Sequence, residues 1–279
     1  MRRSASEGDR MDKQKRNRFI IICSIVLALI LAGIIATSKS DGEFEPIKVV
    51  MKDAVLHDVA KINLLGIKAV NPGLISAYCV TAIILVFSLI VRIFVIPKFS
   101  DAPGKFQLLL EQAVGIFDGL ATSNSPHRHK FLGAYVFTAG TYIFVGTMFE
   151  LLGIMAPTTT GGAVTLPAPL ADINGAISMG VFSYCVILSG GIAGNKFKGV
   201  LNTLKDFSLP ISMSFRLFGA LLSGALVTEL VYYYITTSFV IPVFVAVMFT
   251  MLHALIQAYV LTMLTALFYG EVCSKEEPE

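Results

Sequence analysis

Residues 210–224 read PISMSFRLFGALLSG, and one guanidinium, that of Arg216, sits in the middle of an apolar run from Leu209 to Ile235. That run is long enough to span a bilayer, whose hydrocarbon core takes about 20 residues of helix. Placing an Arg at its centre costs roughly 2.5–3.5 kcal/mol on insertion scales. Arg cannot escape the penalty by losing its proton. A residue kept at that cost points to function and calls for a partner with negative charge or strong dipoles.

The rest of the chain has the same character. Its 279 residues are 55% hydrophobic and only 15% charged, which indicates a polytopic membrane protein rather than a soluble domain. The net charge of +3 is small and the basic residues are scattered, so nucleic acid is excluded as a partner. Cys23, Cys79, Cys185 and Cys273 are too far apart in sequence for redox or metal-ligand spacing. They read as small apolar residues, and neither a metal nor another cofactor is expected.

Six apolar runs qualify, or nearly so, as spans: Phe19–Thr37, Leu74–Ile96, Phe131–Leu152, Ile173–Ala193, Leu209–Ile235 and Phe239–Tyr269. The basic N-terminal tail places residue 1 in the cytoplasm by the positive-inside rule. Alternating spans then put fifteen Lys and Arg inside and five outside, with Arg92 and Arg216 within spans. Residues 1–37 are expected to be a basic tail plus an extra apolar helix; a cleaved signal peptide is the rival reading. Residues 38–73 form an extracytoplasmic segment, and 74–279 form the membrane domain. Within it, Phe106, Leu109, Leu110, Ala113, Val114, Phe117, Leu120 and Ala121 repeat at helical spacing, giving an amphipathic helix over 104–122. It lies on the membrane surface or packs on a soluble partner.

The fold class is therefore all-α and polytopic, with five spans in the membrane domain after the extra N-terminal helix. The last two runs exceed the bilayer thickness and are joined near Thr237, so they form a long, strongly tilted antiparallel hairpin. With Thr237 as the tip, Arg216 and Gln257 have nearly equal arms of 21 and 20 residues. A Gln oxygen at that depth can orient a guanidinium without neutralising it. Gly219, Ala220, Ser223 and Gly224 read as helix packing or as room for a moving partner. His253 shares a face with Gln257 and is either a proton relay or a structural residue. Glu229 is an intramembrane carboxylate that could line a water path. Asp172, with Asn174 and Ser178, lines the same path, unless Asp172 is simply a helix N-cap. Glu150 reads as interfacial.

Other motifs are weak. SGGIAGNK (189–196) lacks P-loop spacing. LSGG around Ser189 lacks the glycine an intramembrane serine hydrolase would need at Ile187, and His127 and His129 read as basic surface residues. A stand-alone ion-coupled transporter remains a rival, although no internal repeat supports it.

Four segments carry a family resemblance: PISMSFRLFG (210–219), LIQAYVLTMLTALFYGE (255–271), PGKFQ (103–107) and ADINGAISM (171–179). Over roughly residues 70–272 the chain resembles subunit a of the bacterial F-type ATP synthase membrane sector. The resemblance implies a multi-pass stator in the bacterial inner (plasma) membrane, with no catalysis of its own. Its implied partners are a ring of c subunits, the b-subunit peripheral stalk and the rest of the ATP synthase. Two half-channels would pass H⁺, or Na⁺, to and from the ring, with Arg216 between them and Gln257 beside it. Glu229, His253, Asp172, Asn174 and Ser178 would be the half-channel candidates. The chain departs from the family at Ala220, commonly Asn, at Ala225, often acidic, and at Thr250, a common His position.

Overall fold

The computed structural model describes residues 62–64, 67–101, 103–157, 163–233 and 241–273. The Phe19–Thr37 run, the fate of residues 1–37 and the hairpin tip at Thr237 lie outside the described residues.

A short hairpin, β1 (Ile62–Leu64) and β2 (Ile67–Val70), leads into α1 (Pro72–Ile90). That helix runs on through a π turn, Val91–Val95, and a 3₁₀ turn, Ile96–Lys98. Next come α2 (Lys105–Asn124) and α3 (His129–Glu150). A second hairpin, β3 (Met155–Pro157) and β4 (Ala163–Thr165), precedes α4 (Ile173–Lys205), α5 (Ser208–Tyr233) and α6 (Ile241–Cys273). Among the described residues, Pro72–Lys98, His129–Glu150, Ile173–Asn195 and Val247–Cys273 are long and apolar enough to cross a membrane. Phe197–Lys205 and Ser208–Gly224 qualify as a further span when taken together across a 50° bend.

The helices shuttle between two ends of the bundle. The first end holds both hairpins, where Ile62, Val70, Val80, Phe149 and Leu166 form a small core. The other end brings Asn124 to Arg128 together with Gly194 and Cys273. Between them, Ile143, Ile187, Met213, Leu217, Leu221, Ala258 and Leu261 tie α3, α4, α5 and α6 into the main core. Several threonines buried in that bundle satisfy their hydroxyls on their own helices. Thr147, Thr262 and Thr265 each donate to the carbonyl four residues back. Helix α1 buries only a stripe near its start, from Pro72 to Val80, and leaves Phe87, Leu89, Ile93 and Phe94 exposed. Such a surface suits lipid as its solvent.

The amphipathic helix forms as α2, and its second half docks within this chain. Phe117 meets Phe137 edge-on with ring centroids 5.7 Å apart, and Ala121 is fully buried. The first half, with Phe106 and Leu109, keeps its apolar side exposed.

Helix α4 runs beyond the apolar run Ile173–Ala193 read from the sequence, to Lys205. The Tyr184 hydroxyl donates to the carbonyl of Thr203 at 2.9 Å. Nineteen residues of straight helix would separate them by about 28 Å, so the chain folds back on itself beyond Asn195. Glycine makes the return possible: a Cβ at Gly199 would overlap the backbone carbonyl of Gly191. The two short hairpins were likewise not expected. Three-residue strands carry too little alternation to register as strands.

Candidate functional site

Arg216 lies in the first half of α5 with its side chain exposed, and no hydrogen bond or ion pair holds it among the described residues. Phe215 beside it on α5 is 62% exposed, and α6 likewise exposes Leu252, Leu255 and Tyr259, the last 60% exposed. The helix thus aims its cation out of the bundle, across a surface otherwise fit for hydrocarbon. Intramembrane charges almost always face a bundle interior or a water-filled cavity. An outward one therefore needs a second surface against it.

The helical repeat explains how this arises. Met213, Leu217 and Leu221 recur at four-residue steps and are buried in the core. Ser212, Phe215, Arg216, Gly219 and Ser223 fall on the opposite, exposed face. A Cβ built at Gly219 meets nothing within 4 Å among the described residues. Packing among the described residues therefore leaves that glycine open on its outer side.

Gln257 behaves in the opposite way. It is 6% exposed, and its Oε1 is buried without a hydrogen-bond partner. Leaving such an acceptor dry costs about 1–3 kcal/mol. No hydrogen bond joins it to Arg216 among the described residues. One approach of α5 to α6 lies about two turns beyond Arg216, where a Cβ at Gly224 would lie 3.9 Å from His253 Nδ1. These two residues stand 13 and 16 positions from Thr237, so the arms are offset by three residues, about 4.5 Å of helix.

His253 is half-buried. Its Nδ1 lies 2.8 Å from the carbonyl of Phe249, and its ring stacks on the Phe249 ring. A carbonyl only accepts, so Nδ1 carries a proton and Nε2 is left to take up or give another. His253 lines a cavity of about 10 Å³ with Thr147, Glu150, Ala220, Leu221, Gly224 and Thr250. That is about the space one water needs. Glu150 is the residue that the sequence reading undervalued. Thr147 and Glu150 are three apart on α3, as Thr250 and His253 are on α6, so both pairs share a helical face. That matched spacing was the available signal. Glu229 belongs to the later part of α5, and its side chain lies outside those described.

Asp172, Asn174 and Ser178 line a second cavity, of about 460 Å³, between the starts of α1 and α4. Asp172 is also the N-cap of α4: its Oδ1 accepts from the backbone N–H of Asn174 at 2.7 Å. Its Oδ2 accepts from Asn71, which itself caps α1 by accepting from Gly73 N at 2.9 Å. One carboxylate therefore ties two helix starts together. The Ser178 hydroxyl donates to the carbonyl of Asn174. We predict that Asp172→Ala lowers the stability of the purified chain by about 1–2 kcal/mol, the scale of a lost cap. Asp172→Asn should retain most of that stability, since an amide oxygen also caps. Equal thermal unfolding of wild type and Asp172→Ala in detergent would show that the tie contributes nothing.

The described spans define a multi-pass helical membrane protein. The family model for the ATP synthase A chain matches residues 74–270, and the chain belongs to that family, a membrane-sector component that carries ions and not a catalytic one. It is similar to ATP synthase subunit a of Glaesserella parasuis serovar 5 (strain SH0165), at 25% identity over 64% of this chain and 80% of the relative. Similarity to ATP synthase subunit a of Histophilus somni (strain 129Pt) is 26% over the same shares. For that of Cereibacter sphaeroides (strain ATCC 17025 / ATH 2.4.3) it is 26% over 60% of this chain and 68% of the relative.

Proposed function

We propose that this chain is the stator channel of a rotary ATP synthase in a bacterial plasma membrane, passing H⁺ or Na⁺ to a ring of c subunits through two half-channels separated by Arg216. The observation that carries this reading is the exposed, unpaired Arg216 on an apolar helix face. A ring carboxylate arriving at that face supplies the missing negative charge. As it leaves, another replaces it, so the cation is never stranded in lipid. Gly219 leaves the moving surface room to pass.

The two cavities supply an entry route at the end of the bundle that holds the β-hairpins. Water and ions enter beside Asp172, Asn174 and Ser178. Deeper in, Glu150 and His253 hand a proton along through a water between Thr147 and Thr250. Glu229, further along α5 than Arg216, contributes to the same route. Gln257 presents its unpartnered oxygen about one turn from the level of Arg216, where it accepts from a protonated ring carboxyl or, through water, steadies the guanidinium. The b-subunit stalk holds the chain against the turning ring.

A test is disulfide cross-linking from Gly219→Cys to cysteines placed along the outer helix of the proteolipid in the assembled complex. We expect efficient cross-links there and none from a cysteine at Ile83, on the exposed side of α1. Cross-links from Ile83→Cys alone would put the ring on another face and remove the basis of this reading.

A further inference from the structure

The end of the bundle opposite the β-hairpins carries two cavities that the ion route does not use. One, of about 610 Å³, has Asn124, His127 and Arg128 in its wall and reaches Gly194 and Cys273. The other, of about 390 Å³, is lined by Arg128, Lys130, Phe131 and Ser189. Arg128 is common to both. None of the lining residues is acidic.

Beneath them lies Tyr269, fully buried, with a hydroxyl that has the Arg128 side chain close to it but no hydrogen bond of good geometry among the described residues. Its ring is 6.4 Å from that of Phe131 and is held tightly against Gly190, where a Cβ would come within 2.7 Å of it. The Arg128 guanidinium lies beside the hydroxyl. A native fold seldom leaves such a group orphaned without an unseen partner. Guanidinium, ammonium and phenol all donate, so the fitting ligand is an anion rich in acceptor oxygens.

From this we infer that the pair of cavities binds the phosphate of an anionic phospholipid. A lipid is favoured over free phosphate by the surroundings. Phe131, 54% exposed, lines the cavity beside Lys130, and Ile192, three residues along α4 from Ser189, is exposed too. An acyl chain can therefore leave the site along an apolar wall. Basic pockets between spanning helices at a membrane surface hold lipid headgroups in this way. The site has no part in ion transfer. It rests on the stator reading only for the leaflet, which the orientation proposed above makes cytoplasmic. The lipid would fix α2, α3, α4 and α6 against one another at the end opposite the entry route.

The test is native mass spectrometry of the full-length chain in detergent, titrated with phosphatidylglycerol or with phosphatidylcholine. Each basic residue is worth about fivefold in affinity for an anionic headgroup. We expect Arg128→Ala with Lys130→Ala to weaken phosphatidylglycerol binding roughly 25-fold. The same loss of charge in Lys98→Ala with Lys105→Ala should leave it unchanged. Tyr269→Phe, which keeps the ring, should give a smaller loss. Millimolar inorganic phosphate should not compete. Equal loss in the Lys98 and Lys105 pair, no loss in the Arg128 and Lys130 pair, or full competition by free phosphate would each overturn the site. The assay contains neither ATP nor ring, so its failure leaves the stator reading standing and the converse also holds.

Discussion

Arg216→Ala is expected to abolish ATP-driven acidification of inverted membrane vesicles at matched expression and assembly, while ATPase activity remains measurable. Magnitudes support so large an effect. Two unit charges 4 Å apart at an effective dielectric of 20 attract by about 4 kcal/mol. That equals about three pKa units on a ring carboxyl, enough to expel its proton. On the proposed mechanism, loss of the cation would leave nothing to discharge the carboxyl between the two half-channels, and ions would slip back instead of driving or following rotation. The attraction must also be bounded. One charge crossing 100 mV gains only about 2.3 kcal/mol, so a dry, full-strength pair would hold the ring still. On the proposed mechanism, water from the half-channels meets that demand by holding the guanidinium in a higher dielectric than a dry pair would have. Arg216→Lys keeps the charge but concentrates it on one strongly hydrated ammonium and loses the planar fork. We expect it to couple poorly, well below half the wild-type rate. Normal acidification in Arg216→Ala would make this residue structural and remove the central claim. If wild-type vesicles fail to acidify, the same comparison with Na⁺ uptake decides which ion is carried.

The competing readings of the sequence fare unequally against the geometry. An intramembrane hydrolase would need Ser189 and His253 in contact. Ser189 lines a cavity with Arg128 and Lys130, and its hydroxyl donates to the carbonyl of Val186. Its chain neighbour Gly190 lies against Tyr269, sixteen residues along α6 from His253. That is about 24 Å of helix. No geometry here favours the transporter.

The four spans over 72–98, 129–150, 173–195 and 247–273 were legible because each is a local property. Twenty apolar residues declare a membrane helix wherever they occur, and the desolvation of Arg216 can be weighed without knowing a neighbour. The caps of α1 and α4 were half legible. Asp172 before an apolar run is an N-cap signal, but its tie to Asn71 spans 101 residues and has no local signature. The register of α5 on α6 was less accessible still. An equal-arm count assumes that the tip sets it, whereas Gly224 lets His253 approach at an offset of three residues. Glu150 was passed over for a similar reason: a carboxylate near the end of a span looks interfacial until α6 is laid beside it.

The fold-back in α4 supports the second large prediction. Gly199→Ala, although it adds one methyl group, is expected to prevent accumulation of folded chain in the membrane. The added Cβ would overlap the carbonyl oxygen of Gly191, and backbone on both sides of the contact leaves no flexible side chain to yield. Relief requires the two arms of α4 to part. Parting them breaks the Tyr184 bond to Thr203 and lifts Thr203 Oγ1 from its place against Gly191. It also shifts the start of α5, only three residues beyond the end of α4, and so moves Arg216 relative to α6. Small-to-large changes in packed interiors cost about 1–3 kcal/mol when side chains can adjust. A backbone contact should sit at or above the top of that range, a large part of the total stability of a typical domain. Gly104→Ala is the matched control, since a Cβ there meets nothing within 4 Å. Membrane levels of both variants can be read by immunoblot, and fluorescence-detected size exclusion reports whether the extracted chain is monodisperse. Wild-type levels and a sharp elution peak for Gly199→Ala would mean that the two arms of α4 do not meet as described, and the path from α4 into α5 would have to be redrawn.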